Sequence, residues 1–390
     1  MMRALRVIGT TVLALVVAGG MAITIVPRFL DRIYYEGPAS DHFDGARFFN
    51  PDGDDDTLRP PGRTGRRGFV WSYLTGNDGR PAWPDRVPVR ASRPPARVIG
   101  ERMHVTWIGH ATVLIQTQGL SILTDPVFGD RAGPFGLGPR RVAAPGIAFD
   151  DLPCIDLVLV SHNHYDHMEL ATLRRLWERD RPTIVTSLGN DGVIARSGAR
   201  AVALDWGRRL ALRPGISVAV TRNHHWGSRW FADRNRALWS SFVVTLPSGG
   251  NIFFAGDTGF GDGNWPREAA ALGPIRFAMI PIGAFRFAPG QMASGAHIGP
   301  ADAALIDQRL GAAHALPIHW GTFRLSYEAY RTPSRLLALA NACAGNTGFA
   351  PAAIGVAQDI PVYRAPAARP MMTRAAMLRC LDTPAARALR

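Results

Sequence analysis

The sequence predicts an α/β protein in which two sheets pack face to face with helices outside each one. Three observations carry this expectation. A first series of apolar strand runs lies at 105–108, 113–116 and 122–124 and ends in the continuous buried run 155–160. A second series lies at 216–221, in two hairpin arms at 239–246 and 251–256 joined across Pro247, Ser248, Gly249 and Gly250, and at 277–282. Helical spacing then follows strands: 169–179 puts Leu170, Leu173 and Leu176 on one face, Gly299-Pro300-Ala301-Asp302 opens a helix to about Leu310, and 334–344 repeats the pattern after a strand at 315–318.

With 390 residues, 47% hydrophobic and only 19% charged, the chain has material for a large core and lacks the composition of a disordered one. Its formal charge of +13 attracts phosphates in principle. All 44 basic residues are Arg, however, and biased codon usage accounts for that more simply than phosphate recognition does. Cys154, Cys343 and Cys380 are odd in number and far apart, so neither a disulfide framework nor a zinc-finger spacing can be read from them. They are expected to be small buried or surface residues.

The segment 7–26 is an uncharged run of 20 residues preceded by Arg3 and Arg6. At about 1.5 Å per residue such a helix spans a hydrocarbon core of about 30 Å. Residues 1–30 are therefore read as a membrane segment, a signal anchor first and a cleaved signal peptide second, with small residues at 18–22 as the cleavage option. In a bacterium this means an inner-membrane anchor with the folded domain facing the periplasm; a cytoplasmic-facing domain and secretion after cleavage are the alternatives. Residues 31–100, rich in Pro, Gly, Arg and Asp, form an extended arm. Phe43, Phe48, Phe49, Phe69, Trp71, Tyr73 and Trp83 are expected to pack that arm on the domain at 101–365. The tail at 366–390 holds an amphipathic stretch at 371–381, expected as a plain C-terminal helix or frayed end rather than a membrane-lying one.

His162, His164, Asp166 and His167 spell H-x-H-x-D-H on the strand-to-helix loop that follows the buried run. Four ligand-type side chains in six positions crowd polar groups together with no gain in packing unless a metal holds them. One ion cannot easily accept all four from so short a loop. The natural division gives His162 and His164 to one ion and Asp166 and His167 to a neighbour about 3.5–4 Å away, zinc by preference although iron or manganese suits the same donors. Later strand ends supply Asp257, whose two oxygens can bridge both ions, and His319. In His224-His225-Trp226 either histidine fits, because neighbours on a strand point to opposite faces.

Seven segments, in order, carry a resemblance: Thr106-Trp107-Ile108-Gly109-His110-Ala111-Thr112, Leu123-Thr124-Asp125-Pro126, the motif from Ser161 to His167, Leu204-Asp205-Trp206, Phe254-Ala255-Gly256-Asp257-Thr258-Gly259, Pro281-Ile282-Gly283-Ala284 and Ile318-His319-Trp320-Gly321-Thr322-Phe323. Over roughly 105–339 the chain resembles N-acylphosphatidylethanolamine-hydrolysing phospholipase D and its bacterial relatives in the metallo-β-lactamase superfamily. The resemblance implies an αβ/βα four-layer sandwich, His225 as third ligand of the first ion, Asp257 as bridge and His319 completing the second ion. It implies that His224 is supporting or structural, that Asp125 orients ligands, and that His297 stands near the substrate. His110 lies in a matching segment, and a buried histidine bonded to backbone fits it as well as a direct role. His42, His104 and His314 are read as structural. The segment 285–294 departs from the acidic and aromatic stretch usual there, which opens the substrate to change.

The implied chemistry is hydrolysis by a hydroxide bridging two metals, oriented by Asp166 and Asp257. The expected substrate is an N-acylphosphatidylethanolamine-type phospholipid, with a lactone or other small ester as the alternative and a non-catalytic, membrane-tethered binding protein as a third reading. No nucleic-acid partner is expected, since no aromatic and basic platform accompanies the charge. The oligomeric state is open, a homodimer included.

Overall fold

Alternation along each strand decides which side chains meet. A computed structural model of the chain describes residues 2–29, 35–53, 80–230, 232–287 and 291–389. One sheet contains β1 (Met103–Gly109), β2 (Thr112–Thr117), β3 (Leu120–Thr124), β4 (Leu157–Val160), β5 (Thr183–Ser187), β6 (Ala201–Leu204) and β13 (Ala357–Ile360), in the order β13-β1-β2-β3-β4-β5-β6. The other contains β7 (Arg209–Arg213), β8 (Ile216–Thr221), β9 (Ser241–Thr245), β10 (Asn251–Phe254), β11 (Ile275–Pro281) and β12 (His314–Ile318), in the order β12-β11-β10-β9-β8-β7. Strands β3 to β6 run parallel, as do β10 to β12, and every other pair is antiparallel.

Between the sheets, Leu157 and Leu159 of β4 meet Ile252 and Phe254 of β10 and Phe277 and Met279 of β11. Their sequence neighbours point the other way. Val158 and Val160 pack under Leu173 and Leu176 of α2 (Leu170–Asp180) and Val193 of α3 (Asn190–Ala195). Phe253, Ala278 and Ile280 pack under α4 (Trp265–Ala270), α5 (Pro300–Leu310) and α6 (Thr332–Ala344). The layers are therefore helix, sheet, sheet, helix. Both α5 and α6 have Pro in the first turn, where its missing N–H costs nothing, and stop at a left-handed glycine, Gly311 and Gly345, each with φ 61°.

Most of the expected strands and helices stand within two or three residues of their bounds, but β5, β6, β7 and β13 were not legible. They are short, β6, β7 and β13 are half-exposed edge strands, and β6 and β13 alternate weakly. The unpaired reading of the cysteines is corrected. Cys343 at the end of α6 and Cys380 at the end of α7 (Arg374–Cys380) form a disulfide with Cα atoms 6.0 Å apart, and Cys154 alone is free. One pair 37 residues apart leaves no spacing signature; the pairing is set by two helices packing side by side. The tail is also not frayed: Met377, Leu381 and, in α8 (Pro384–Arg387), Ala386 are buried in the core under the second sheet, and Arg374 forks onto both oxygens of Asp302 at 2.9 Å. Replacing Cys343 by Ser is expected to cost about 2–4 kcal/mol of stability. The check is the denaturant midpoint of parent and variant, with and without reductant; equal midpoints would mean the bridge contributes nothing.

Asp307, buried in α5, accepts from Asn346 Nδ2, and burial pushes its carboxyl up to about 7. A carboxyl raised in the folded state contributes stability that is fully present below about pH 4 and is lost as the pH rises toward 7. Asp307→Asn should therefore gain on the parent chain in melting temperature across that window. A constant difference from pH 4 to pH 8 would refute this.

The arm packs on the domain through the residues that are described. Phe43 and Phe48 join Leu238 and Trp239, and Trp83 donates its indole N–H to Glu328 O at 3.0 Å. Phe49 is partly exposed, and Phe69, Trp71 and Tyr73 fall outside the described residues. His42, read as structural, links the arm to the domain by stacking on Trp206 and bonding Asp205 Oδ1 at 2.8 Å. His104 pairs with Asp359 across β1 and β13, and His314 opens β12. Helix α1 (Met2–Phe29) exposes Val7, Leu13, Leu15 and Val16. Among the described residues no helix is long and apolar enough to cross a membrane, so the reading of 7–26 as a membrane-crossing segment is without support in the structure.

Candidate metal centre

Parallel strands deliver side chains at their C-terminal ends, and here both sheets deliver to one place. From the first sheet come His110 after β1, Asp125 after β3 and the loop 161–168 after β4. From the second come His225 after β8, Asp257 after β10, His297 after β11 and His319 after β12. Gly256 permits this approach. Its φ of 61° suits glycine, and a Cβ there would stand 2.6 Å from the Ser161 Cβ.

Ligand-type atoms of His162, His164 and His225 lie within 4.8 Å of one another, and so do those of His110, Asp166, His167 and His319. In the second cluster Asp166 Oδ2 is 3.5 Å from His167 Nε2 and 3.4 Å from His319 Nε2. Asp257 Oδ2 is 3.2 Å and 3.0 Å from the same two nitrogens, which are 3.0 Å apart. Donors bound at about 2.0–2.1 Å in a tetrahedron stand about 3.4 Å apart, so four atoms at these separations surround a point that suits one small cation.

Hydrogen bonding decides which ring nitrogen faces inward. His167 Nδ1 donates to Asp125 Oδ2 at 2.6 Å, His225 Nδ1 to Ala296 O at 2.8 Å and His319 Nδ1 to Gly283 O at 2.9 Å. His162 Nδ1 stands 2.9 Å from Ser161 Oγ, which donates onward to Asp125 Oδ2 at 2.6 Å, and the Ser161 N–H donates to Asp125 Oδ1 at 2.7 Å. Each Nε2 is thereby left with its lone pair toward the centre. His162 Nε2 faces His164 Nδ1 at 2.8 Å, while His225 Nε2 and Asp257 Oδ1 are buried without a hydrogen-bond partner among the described residues. Convergent nitrogens and orphaned buried acceptors are costly for a folded chain unless a cation satisfies them, so the donor set fits two divalent ions.

The electrostatics of the first cluster agree with that donor set, whereas in the second burial pushes His167 and His319 down but Asp257 and Asp166 outweigh it, holding His167 well above the usual range and His319 up at about 9, an ion pairing that a bound cation would replace. Burial, and then the neighbouring imidazoles, hold His162 and His225 well below the usual range, and burial brings His164 down to about 3, all favouring the neutral form that binds metal. For Asp166 and Asp257 burial pushes upward, but His167, and for Asp257 also His319, outweigh it and hold both carboxyls well below the ordinary range. Burial pushes the Asp125 carboxyl up against the pull of His167 and Ser161.

His224 points elsewhere: its Nδ1 lies 3.0 Å from Asp52 Oδ1 of the arm. Asn50, also in the arm, donates to His225 O at 2.9 Å and accepts from the Trp239 indole. His297 stands at the mouth, its Nδ1 3.7 Å from Asp257 Oδ2 and its ring 5.3 Å from that of Phe287. Phe287, in the departing segment, is 41% exposed, so that segment borders the opening.

Three contributors carry more than their sequence positions announce. His110 bonds Asp166 Oδ2 through Nε2 at 2.9 Å rather than a backbone group, a role its place in a matching segment hints at. Ser161 opens the histidine motif, but its relay between His162 and Asp125 leaves no mark in the spacing. Arg229 has no local signal at all: buried, it donates through Nη1 to the carbonyls of Asn163 and Met168 and lies 3.9 Å over the Tyr165 ring, clamping the histidine loop from the other half of the chain.

Residues 121–320 match the profile of a Beta-lactamase superfamily domain. The chain is 32% identical over 312 residues to an uncharacterized protein of Mycobacterium tuberculosis, a match spanning 78% of each. It is 33% identical over 240 residues to N-acyl-phosphatidylethanolamine-hydrolyzing phospholipase D 1 of Caenorhabditis elegans, covering 58% of this chain and 66% of the worm protein. Among solved structures, isothiocyanate hydrolase from Delia radicum gut bacteria superposes with a TM-score of 0.53 at 20% identity, covering 66% of this chain and all of that one; at that identity the likeness speaks for the fold alone.

Proposed function

The chain belongs to the metallo-β-lactamase superfamily of hydrolases, and from that premise we propose that it is a phospholipase D-like phosphodiesterase acting on N-acylphosphatidylethanolamine-type lipids with two divalent ions, zinc by preference. The observation that carries the reading is the double cluster: His162, His164 and His225 would hold one ion, Asp166, His167 and His319 would hold the other, and Asp257, which lies close to His225 as well as to His167 and His319, would serve both. When bound, the ions supply an activated water at neutral pH and stabilise charge on the phosphoryl oxygens.

The chain's own residues do the rest. Asp125 fixes the ring of His167 directly and that of His162 through Ser161; His110 holds Asp166. Asp166 and Asp257 orient the attacking oxygen for in-line displacement at phosphorus, with the alcohol as leaving group. His297 offers a ring N–H at the mouth, where a phosphoryl oxygen would enter. A lactonase or small-ester hydrolase is the second reading, favoured by the departing segment at 285–294 that borders the opening. The location belongs to the same proposal: the domain lies on the oxidising, periplasmic side. The disulfide supports that location, because such bonds persist outside reducing compartments.

The test is metal content by elemental analysis of the full chain, paired with hydrolysis of N-acylphosphatidylethanolamine and of a lactone panel. Two metals with lipid cleavage would support the first reading, two metals with lactone cleavage alone would favour the second, and a chain that binds no metal would end both.

A further inference from the structure

We propose that the loop at 129–141 is an interfacial finger that seats the mouth of the metal centre on an anionic phospholipid surface. Phe135 and Leu137 enter the lipid interface and Arg131 and Arg140 face the phosphates. This deepens, and rests on, the lipid-phosphodiesterase reading.

The finger is built rather than loose. Leu137 N–H donates to Pro134 O at 2.9 Å, Ala132 N–H to Pro139 O at 3.1 Å and Arg131 Nη1 to Gly138 O at 2.9 Å. A Cβ on Gly133 would lie 2.3 Å from Leu137 O, so the two sides of the loop touch. At the tip Phe135 holds a left-handed φ of 55°, a conformation that a bulky side chain adopts at a cost. Nothing in the fold uses that cost, because Phe135 is 72% exposed and Leu137 65% exposed. Single exposed apolar residues are ordinary; two at the tip of a closed, strained loop ringed by arginines are the arrangement that a membrane interface rewards.

Charge and position agree. Arg131 and Arg140 flank the tip, with Asp130 the acid on the same loop. At its base Arg140 and Arg324 line a cleft of about 290 Å³ in which Asp85 is the one carboxylate, so the lining carries net positive charge. The loop begins shortly after Asp125; Val127 just before it and Ala132 within it pack on Phe323, whose ring stands 5.1 Å from that of His110. The base of the finger is therefore packed one ring away from the metal centre.

The experiment uses the full chain with Cys154→Ser, an environment-sensitive nitrobenzoxadiazole label at Phe135→Cys, and the same label at exposed Arg200→Cys as control. Each is reconstituted into phosphatidylcholine vesicles with or without phosphatidylglycerol. The label at 135 should shift to the blue and be quenched by lipids with brominated tails, more strongly with phosphatidylglycerol, and the control should do neither. In the Phe135→Ser, Leu137→Ser double variant the ratio of vesicle-presented to soluble short-chain phosphodiester hydrolysis should fall about tenfold. A label that stays in a water-like environment on both vesicles overturns the finger while parent hydrolysis leaves the enzymatic reading standing. A label that inserts in a chain that cleaves no phosphodiester sustains the finger and ends that reading. A blue shift already present without lipid, and dependent on protein concentration, assigns the tip to a second copy of the chain and overturns the proposal.

Discussion

Asp257→Asn is expected to lower hydrolysis roughly a thousandfold and, on the proposed two-ion reading, to cost the chain at least one ion, several kcal/mol at about 1.4 kcal/mol per factor of ten. The carboxylate sits where both halves of the centre meet. Its Oδ2 lies 3.0 Å from His319 Nε2 and 3.2 Å from His167 Nε2, and its Oδ1 is buried without a hydrogen-bond partner among the described residues. Asn keeps the size and removes the charge. It also turns one oxygen into a donor that would face inward-pointing lone pairs and a cation. Elemental analysis and turnover on the same sample check the prediction. Two retained ions with a raised KM and unchanged kcat would remove Asp257 from the chemistry and leave it a substrate contact.

The second large effect is expected behind the ligand rings. Asp125 is fully buried there, and it accepts from Ser161 N–H, Ser161 Oγ and His167 Nδ1. In Asp125→Asn the amide nitrogen must face one of those donors, so either His167 turns or Ser161 releases His162. Partners of this kind are worth about 10–100-fold in metal affinity. The expected result is a metal dissociation constant raised by about that factor, with activity that returns when zinc is added in excess. Ser161→Ala should show a smaller loss, because it breaks only the link to His162. Activity that zinc fails to restore would assign Asp125 a direct part in the reaction.

How much of this was legible in the sequence depends on how far apart the partners lie. The H-x-H-x-D-H loop, Asp257 and His319 could be read because each ends a strand whose apolar run is visible in isolation. The choice between His224 and His225 could not be made from spacing, since alternation says only that they diverge. In the structure Asp52, 172 residues away, takes His224, while Ala296 O takes the Nδ1 proton of His225 and leaves its Nε2 beside His162 and His164. Arg229 was illegible for the same reason: its role lies in two carbonyls 66 and 61 residues upstream. The disulfide needed the packing of α6 against α7, which a sequence separation of 37 does not announce.

The division of the donors between the two sheets has a consequence in time. His167 and His319 face each other at 3.0 Å but are 152 residues apart in the chain. At about 5–20 residues per second, the second leaves the ribosome roughly 8–30 s after the first. On the proposed two-ion reading a nascent chain is therefore an incomplete chelator, able to offer one ion two imidazoles and the other a carboxylate and an imidazole. Tight loading has to wait until the later half has docked, and the ions come to the finished molecule from whatever compartment it has reached by then.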